Sequence, residues 1–271
     1  MVIAGYILAA LVGISLGLIG GGGSILTVPI LVYLMGINPI LATCYSLFIV
    51  GFTSMVGAIN NYRKGLVNIK TALLFGLSSI TTVFVIRKII LPAIPEILYS
   101  STSFHITHNM ATMVLFALLM LLASIAMIKS GKVPEYQSEN STPNNSRIIR
   151  LLFNGILIGM ATGFLGAGGG FLVIPSLVLM LKMPMKKAVG TSLLIIAFNS
   201  LVGFTGDLGH FSIDWKFLIS ITIIAIAGIF GGGLLAKKID GEKLKKGFGW
   251  FVLVMGAYIL IKEIFFTTAG I

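Results

Sequence analysis

Residues 17–29 read GLIGGGGSILTVP, and residues 163–175 read GFLGAGGGFLVIP. Each string interrupts an apolar segment, roughly 3–35 and 150–181. A segment of about 32 residues would reach about 48 Å as one straight helix, well beyond the ~30 Å of a hydrocarbon core, whereas two full crossings need about 40 residues. Each segment is therefore too long for one pass and too short for two. Consecutive glycines remove side chains from every helix face and weaken the helix. They favour a break, which leaves a broken crossing or a re-entrant hairpin. An isolated GxxxG would instead be read as a close-packing interface between helices.

The two strings belong to a longer internal repeat. Adding 146 to each residue number from 17 to 70 aligns the halves without a gap, and 17 of 54 positions are identical. Gly17, Gly20, Gly22, Gly23, Leu26 and Pro29 match Gly163, Gly166, Gly168, Gly169, Leu172 and Pro175. Farther on, Ala42, Ser46, Phe52, Ser54 and Gly57 match Ala188, Ser192, Phe198, Ser200 and Gly203. Bias toward Leu, Ile and Val does not align glycines, a proline and serines together.

Working outward, the 271 residues are 57% hydrophobic and 10% charged, with a mean hydropathy of +1.06. A soluble domain carries about 25% charged residues, so a water-soluble globular fold is excluded. Further apolar segments run roughly 40–60, 66–86, 109–128, 188–206, 216–236 and 247–266, giving eight in all. No stretch alternates apolar and polar residues as a membrane β-barrel strand does. The polar stretch KSGKVPEYQSENSTPNNSRIIR, residues 129–150, cannot bury a core. Three units are expected: an N-terminal transmembrane repeat over 1–128, a cytoplasmic linker over 129–149 and a C-terminal transmembrane repeat over 150–271. The first residues have no cationic run before their apolar stretch and do not read as a cleaved signal peptide. The single cysteine, Cys44, forms no intrachain disulfide.

The net charge of +11 orients the chain in lipid rather than binding nucleic acid, because the basic residues lie between apolar segments. If every segment crosses once, the 19 Lys and Arg divide 9 to 10, against the positive-inside rule. If the fifth segment turns back, the division is 15 to 4 and the linker is cytoplasmic. Only the repeat relation extends the same hairpin to the first segment. The expected fold is an all-α polytopic membrane protein of two repeated halves with four membrane segments each. The first segment of each half is broken at a glycine turn and re-entrant, so the repeats are inverted with three crossings each.

A discontinuous helix exposes backbone N–H groups where its second half begins, here Ser24 to Thr27 and Gly170 to Val173. Such an end carries roughly half a positive charge and suits an anion. No Lys or Arg lies near the middle of an expected span, so backbone dipoles and hydroxyls would hold an anion there. Paired discontinuous helices in two halves point to a transport site at the membrane midplane.

The two glycine strings, with AVGTSLL at 188–194, resemble the TauE/SafE family of sulfite and organosulfur anion exporters over about residues 5–266. The resemblance implies a multi-pass carrier of the plasma or inner membrane that moves small sulfur-containing or carboxylate anions. Its implied substrate-binding residues are Gly20, Gly21, Gly22, Gly23 and Ser24, then Gly168, Gly169 and Gly170, with Thr43, Ser46, Thr191, Ser192 and Asn199 from neighbouring helices. Hydroxyls in helices also bond their own backbone, which is the plainer reading of each Ser and Thr. This sequence departs from exact repetition at Ala167 for Gly21 and at ATCYSL for AVGTSL.

Other polar residues have plainer readings. His105 and His108 lack a third metal ligand and read as solvated loop. Asp207, His210 and Asp214 end segment six and read as loop solvation and capping, with proton relay as the alternative. Lys237 to Lys246 reads as a topology determinant. No HExxH, no GxSxG with a plausible His and no buried acid pair argues for an enzyme, and no cofactor is expected. The expected partners are a small anion and the lipid bilayer. The expected function is secondary export of an anion such as sulfite or sulfoacetate by alternating access, with a passive anion channel as the alternative.

Overall fold

A computed structural model describes residues 2–93, 97–101, 104–129, 145–165 and 170–263. The chain folds as a helical bundle. Helix α1 (Val2–Ile19) gives way at the glycines to a 3-10 segment, Gly20–Leu26, then to α2 (Thr27–Pro29) and a π-helical turn, Ile30–Leu34. There follow α3 (Pro39–Arg63) and α4 (Ile69–Val85), the latter continued by a π-turn, Ile86–Ile90, and a 3-10 turn, Leu91–Ala93. A short antiparallel hairpin, β1 (Ile97–Ser101) with β2 (Phe104–Thr107), leads into α5 (His108–Lys129). The second half comprises α6 (Asn145–Leu165), α7 (Gly170–Pro175) with a π-turn at Ser176–Met180, α8 (Met185–Asp207), α9 (Trp215–Lys238) and α10 (Gly241–Ile261).

Five helices among the described residues are long and apolar enough to cross a membrane: Pro39–Arg63, Ile69–Ala93, Met110–Lys129, Met185–Asp207 and Trp215–Ala236. Shorter apolar helical stretches are Tyr6–Ile19, Ser24–Leu34, Leu151–Leu165 and Gly249–Ile261. With its two turns α4 forms one helical stretch, Ile69–Ala93, that outruns the expected 66–86, and α6 begins at Asn145, inside the expected linker. The hairpin lies where only a polar connection was expected, around His105 and before His108. Most of the linker, 130–144, lies outside the described residues.

Local chemistry sets the helix starts. Asn38, Asn68 and Asp214 are N-caps whose side chains accept from the N–H of Ile40, Thr71 and Phe217, satisfying donors that a helix start leaves open. The Asn68 N–H donates to Thr191 Oγ1 and the Asp214 N–H to Tyr45 Oη, both at 2.9 Å.

The most extensive helix contacts are α1 with α9, α3 with α8, α5 with α10 and α4 with α6, so each joins one half to the other. Glycines make the closest of them. A Cβ at Gly13 or Gly17 of α1 would strike the carbonyl oxygen of Ala225 or Ile229 of α9, and one at Gly228 or Gly232 would strike that of Ala10 or Ile14. Rising residue numbers pair with rising numbers, so α1 and α9 run parallel. Helices α4 and α6 do the same, with Gly159 at Ser79 and Gly163 at Ile86. Helix α3 runs antiparallel to α8, with Gly51 at Leu201 and Gly57 at Leu193. Buried Leu16, Ile25, Val28, Phe75, Phe116, Ile174 and Ile196 belong to one apolar core shared by both halves.

These directions give the path of the glycine-broken segments. Gly163 lies at Ile86 near the end of α4, whereas α8 begins at the other end, where Gly190 abuts Leu66 and Asn61. The chain therefore reverses between them. Between Gly17, which abuts Gly233 near the end of α9, and Thr43, which bonds Arg87, the first half reverses likewise.

Candidate functional site

The first glycine turn meets the start of α7. A Cβ on Gly170 would fall on the carbonyl oxygen of Gly21, and one on Gly21 would strike Cδ1 of Ile196, midway along α8. Gly20 takes φ +69°, the left-handed region that a residue with a Cβ enters at a cost, and it lies against Val189. Gly22 and Gly23 continue the 3-10 segment. Gly168 and Gly169 lie outside the described residues.

The polar candidates divide by their bonds. The Ser24 hydroxyl donates to the Gly21 carbonyl at 2.7 Å and so closes the turn on itself. Ser192 donates to the Val189 carbonyl at 2.9 Å, the helix back-bond of its plainer reading. Thr191 is an acceptor at the start of α4, as described above. Asn199 donates to Ser79 Oγ at 2.7 Å, joining α8 to α4 inside the bundle. Ser46 Oγ is buried without a hydrogen-bond partner, as are Thr27 Oγ1, Ser54 Oγ, Ser200 Oγ and Asn199 Oδ1. All but Thr27 sit on the central pair α3 and α8.

Thr43 belongs to a different cluster. Its hydroxyl donates to the Ile40 carbonyl at 2.7 Å and accepts from Arg87 Nη1 at 3.1 Å. The same Nη1 bonds Asp207 Oδ2 at 2.8 Å. Arg87 is 0% and Asp207 2% exposed, so the ion pair is fully inside the protein. This corrects the reading of Asp207 as a solvated loop or cap. Asp214 does cap α9, and His210 is exposed. Arg87 itself was missed, because the apolar segment reads as ending at residue 86. Helix α4 runs on past it through the π-turn. The sequence signal is VIRKIILPA, where the apolar run resumes directly after Arg87 and Lys88 and continues to Pro92 without a turn residue.

At the opposite end of the central helices a cleft of ≈ 240 Å³ opens, lined by Gly17, Asn61, Lys64, Lys186, Val189 and Gly233 among others. Two lysines at its rim favour an anion, since walls of one charge sign raise the local concentration of the opposite ion. Among the described residues no cluster of His, Cys, Asp and Glu could hold a metal ion.

Residues 6–259 match the family of sulfite exporters named TauE/SafE. The chain belongs to the TauE/SafE family. A probable membrane transporter protein of Xylella fastidiosa (strain 9a5c) is 30% identical over 257 residues, spanning 92% of this chain and 91% of the relative. The probable membrane transporter protein YdhB of Bacillus subtilis (strain 168) is 26% identical over 253 residues, 92% of this chain and 96% of the relative. No solved structure matches the chain. TauE/SafE membership makes this a multi-pass membrane transporter, whose working surroundings are a lipid bilayer and a small substrate.

Proposed function

We propose that this TauE/SafE protein is a secondary carrier that exports small sulfur-containing or organic anions, such as sulfite or sulfoacetate, across the cell membrane. It works by alternating access between two inverted repeats, around a midplane site where the glycine turns meet. The observation that carries this reading is the contact of Gly21 with Gly170 beside Ile196, flanked by α3 and α8 with their unpartnered buried hydroxyls. Donors of that kind can bind an oxyanion without a buried lysine, each bond to a charged group contributing about 1.5–3 kcal/mol.

The inverted arrangement has structural support at the 146-residue offset. Helices α3 and α8 begin at Pro39 and Met185, α4 and α9 at Ile69 and Trp215. The π-turns at Ile30–Leu34 and Ser176–Met180 correspond, and so do the positive φ of Gly36 and Lys182. The bonds Asn68 to Thr191 and Asp214 to Tyr45 are one bond made twice. Two such halves can exchange conformations, which moves access from one face to the other.

Counterflow in proteoliposomes tests the proposal. Vesicles loaded with sulfite, thiosulfate, sulfoacetate or a carboxylate are expected to take up labelled anion in a saturable, exchange-driven manner for at least one of them. Flux that does not saturate and shows no exchange indicates a channel. No flux with any small anion overturns the substrate class.

A further inference from the structure

The repeats differ sharply at one pair of equivalent places. At the offset of 146, Arg87 corresponds to Gly233, Asp207 to Asn61 and Thr43 to Val189. Gly233, Asn61 and Val189 line the open cleft of ≈ 240 Å³. Their counterparts fill the corresponding place at the other end of α3 and α8 with the buried Arg87–Asp207–Thr43 cluster. The same backbone thus makes an open mouth on one face and a shut one on the other, and the difference is an arginine where the repeat has glycine.

The arginine is only partly used. All of its hydrogen bonds pass through Nη1, while Nε and Nη2 are buried without a partner. Those two N–H groups form the planar edge that grips two oxygens of one carboxylate or sulfur oxyanion. Leaving such donors buried and unmade is costly, and a pair serving stability alone would turn that edge to its partner.

We propose that the Nε–Nη2 edge of Arg87 binds the transported oxyanion at the mouth opposite the Lys64–Lys186 cleft, and that Asp207 is its displaceable lock. This deepens the carrier reading and rests on it. In the conformation seen, Asp207 holds Arg87 and the mouth is shut, while the lysine-rimmed cleft admits anion from the side that the charge count assigns to the cytoplasm. When the mouth opens, the oxyanion replaces Asp207 as partner, so the guanidinium keeps a counter-charge in both states. Return of Asp207 ejects the anion and closes the mouth.

The protein carries its own reporter. Cys44, the single cysteine, is buried beside Thr43 and faces the Asp207 carboxylate. In right-side-out vesicles, an impermeant maleimide is expected to label Cys44 slowly in the native protein and about tenfold faster in Asp207→Asn, whose neutral amide forfeits the charge-assisted bond. Unchanged labelling of a folded Asp207→Asn protein overturns the lock. Arg87→Lys, which keeps the charge and loses the two-donor edge, is expected to raise KM for sulfoacetate counterflow about tenfold with a smaller change in maximal rate. The neutral double variant Arg87→Gln/Asp207→Asn guards against misfolding from an unpaired buried charge. Sulfoacetate is expected to raise the thermal midpoint of the detergent-solubilised native protein and not that of the double variant. If the double variant folds and shows the native KM and the native midpoint shift, Arg87 binds no anion. Should the native protein show no counterflow with any anion, the carrier reading fails, whereas Cys44 labelling still decides the lock.

Discussion

At Gly20 the backbone stands at φ +69°, and a Cβ there would lie 2.7 Å from Val189 Cγ1. Gly20→Ala is expected to cost about 1–2 kcal/mol for the left-handed conformation alone, with the clash added. Gly203 also abuts its neighbours, but its Cβ would meet side-chain carbons, Val83 Cγ1 at 2.9 Å and Leu47 Cδ1 at 3.3 Å. Gly203→Ala is therefore expected to fold at a cost of about 1–3 kcal/mol and to transport normally. Folded yield and counterflow measured on both variants check this, and equal loss of both readouts in the two would make Gly20 a packing residue only. The Asn199–Ser79 bond gives a second test at this scale. Asn199→Leu leaves the Ser79 hydroxyl orphaned at a cost of about 1–3 kcal/mol, part of which Asn199→Leu/Ser79→Ala should recover. Unfolding midpoints of the two single variants and the double variant measure that coupling.

Among elements, the α1–α9 seam shows how small residues let parallel helices touch backbone to backbone. Neighbouring glycines in α9 differ completely there. A Cβ at Gly232 would strike the Ile14 carbonyl, whereas at Gly231 it would meet nothing within 4 Å. Gly232→Ala is expected to separate the helices and lower the yield of folded protein. Gly231→Ala is expected to stabilise the protein by up to about 1 kcal/mol through helix propensity. Thermal unfolding in detergent distinguishes them, and a loss of stability at Gly231 would refute the assignment of its face. The sequence marks both glycines alike, and only the register of α1 against α9 separates them.

Across the whole molecule, the two mouths should be interchangeable by exchange of their side chains. Gly233 has open space around it, so an arginine can enter the cleft there and pair with an acid at position 61. Gly233→Arg with Asn61→Asp is expected to fill the lysine-rimmed cleft and stop counterflow by more than tenfold while the protein stays folded. Because closing one mouth frees the other, Cys44 labelling from outside should rise in the same variant. Normal transport by a folded double variant would mean that this cleft is not on the pathway. Topology is tested separately: a reporter at the C-terminus that works only in the cytoplasm is expected to be silent, since the 15 to 4 charge division faces the linker inward.

The sequence alone determined that the chain lies in a membrane, since its apolar runs are long enough to span lipid and its charges are too few to dissolve it. It also carried the 146-residue offset at which 17 of 54 positions agree, and the two glycine strings that lift the constraint a side chain imposes. Those are properties of order and composition, and the peptide carries them unfolded. Which residues become partners was decided by tertiary structure. Arg87 and Asp207 are 120 residues apart, and each directly follows an apolar run and reads as the first charge of a loop. They meet because α4 extends past its apolar run while antiparallel α3 and α8 bring Thr43 and Asp207 to the same end. The contact of Gly21 with Gly170 likewise depends on two chain reversals meeting at one depth. Whether Ser46 is free or Ser192 bonds its own helix depends on packing, because equivalent hydroxyls in equivalent repeats differ only in their surroundings.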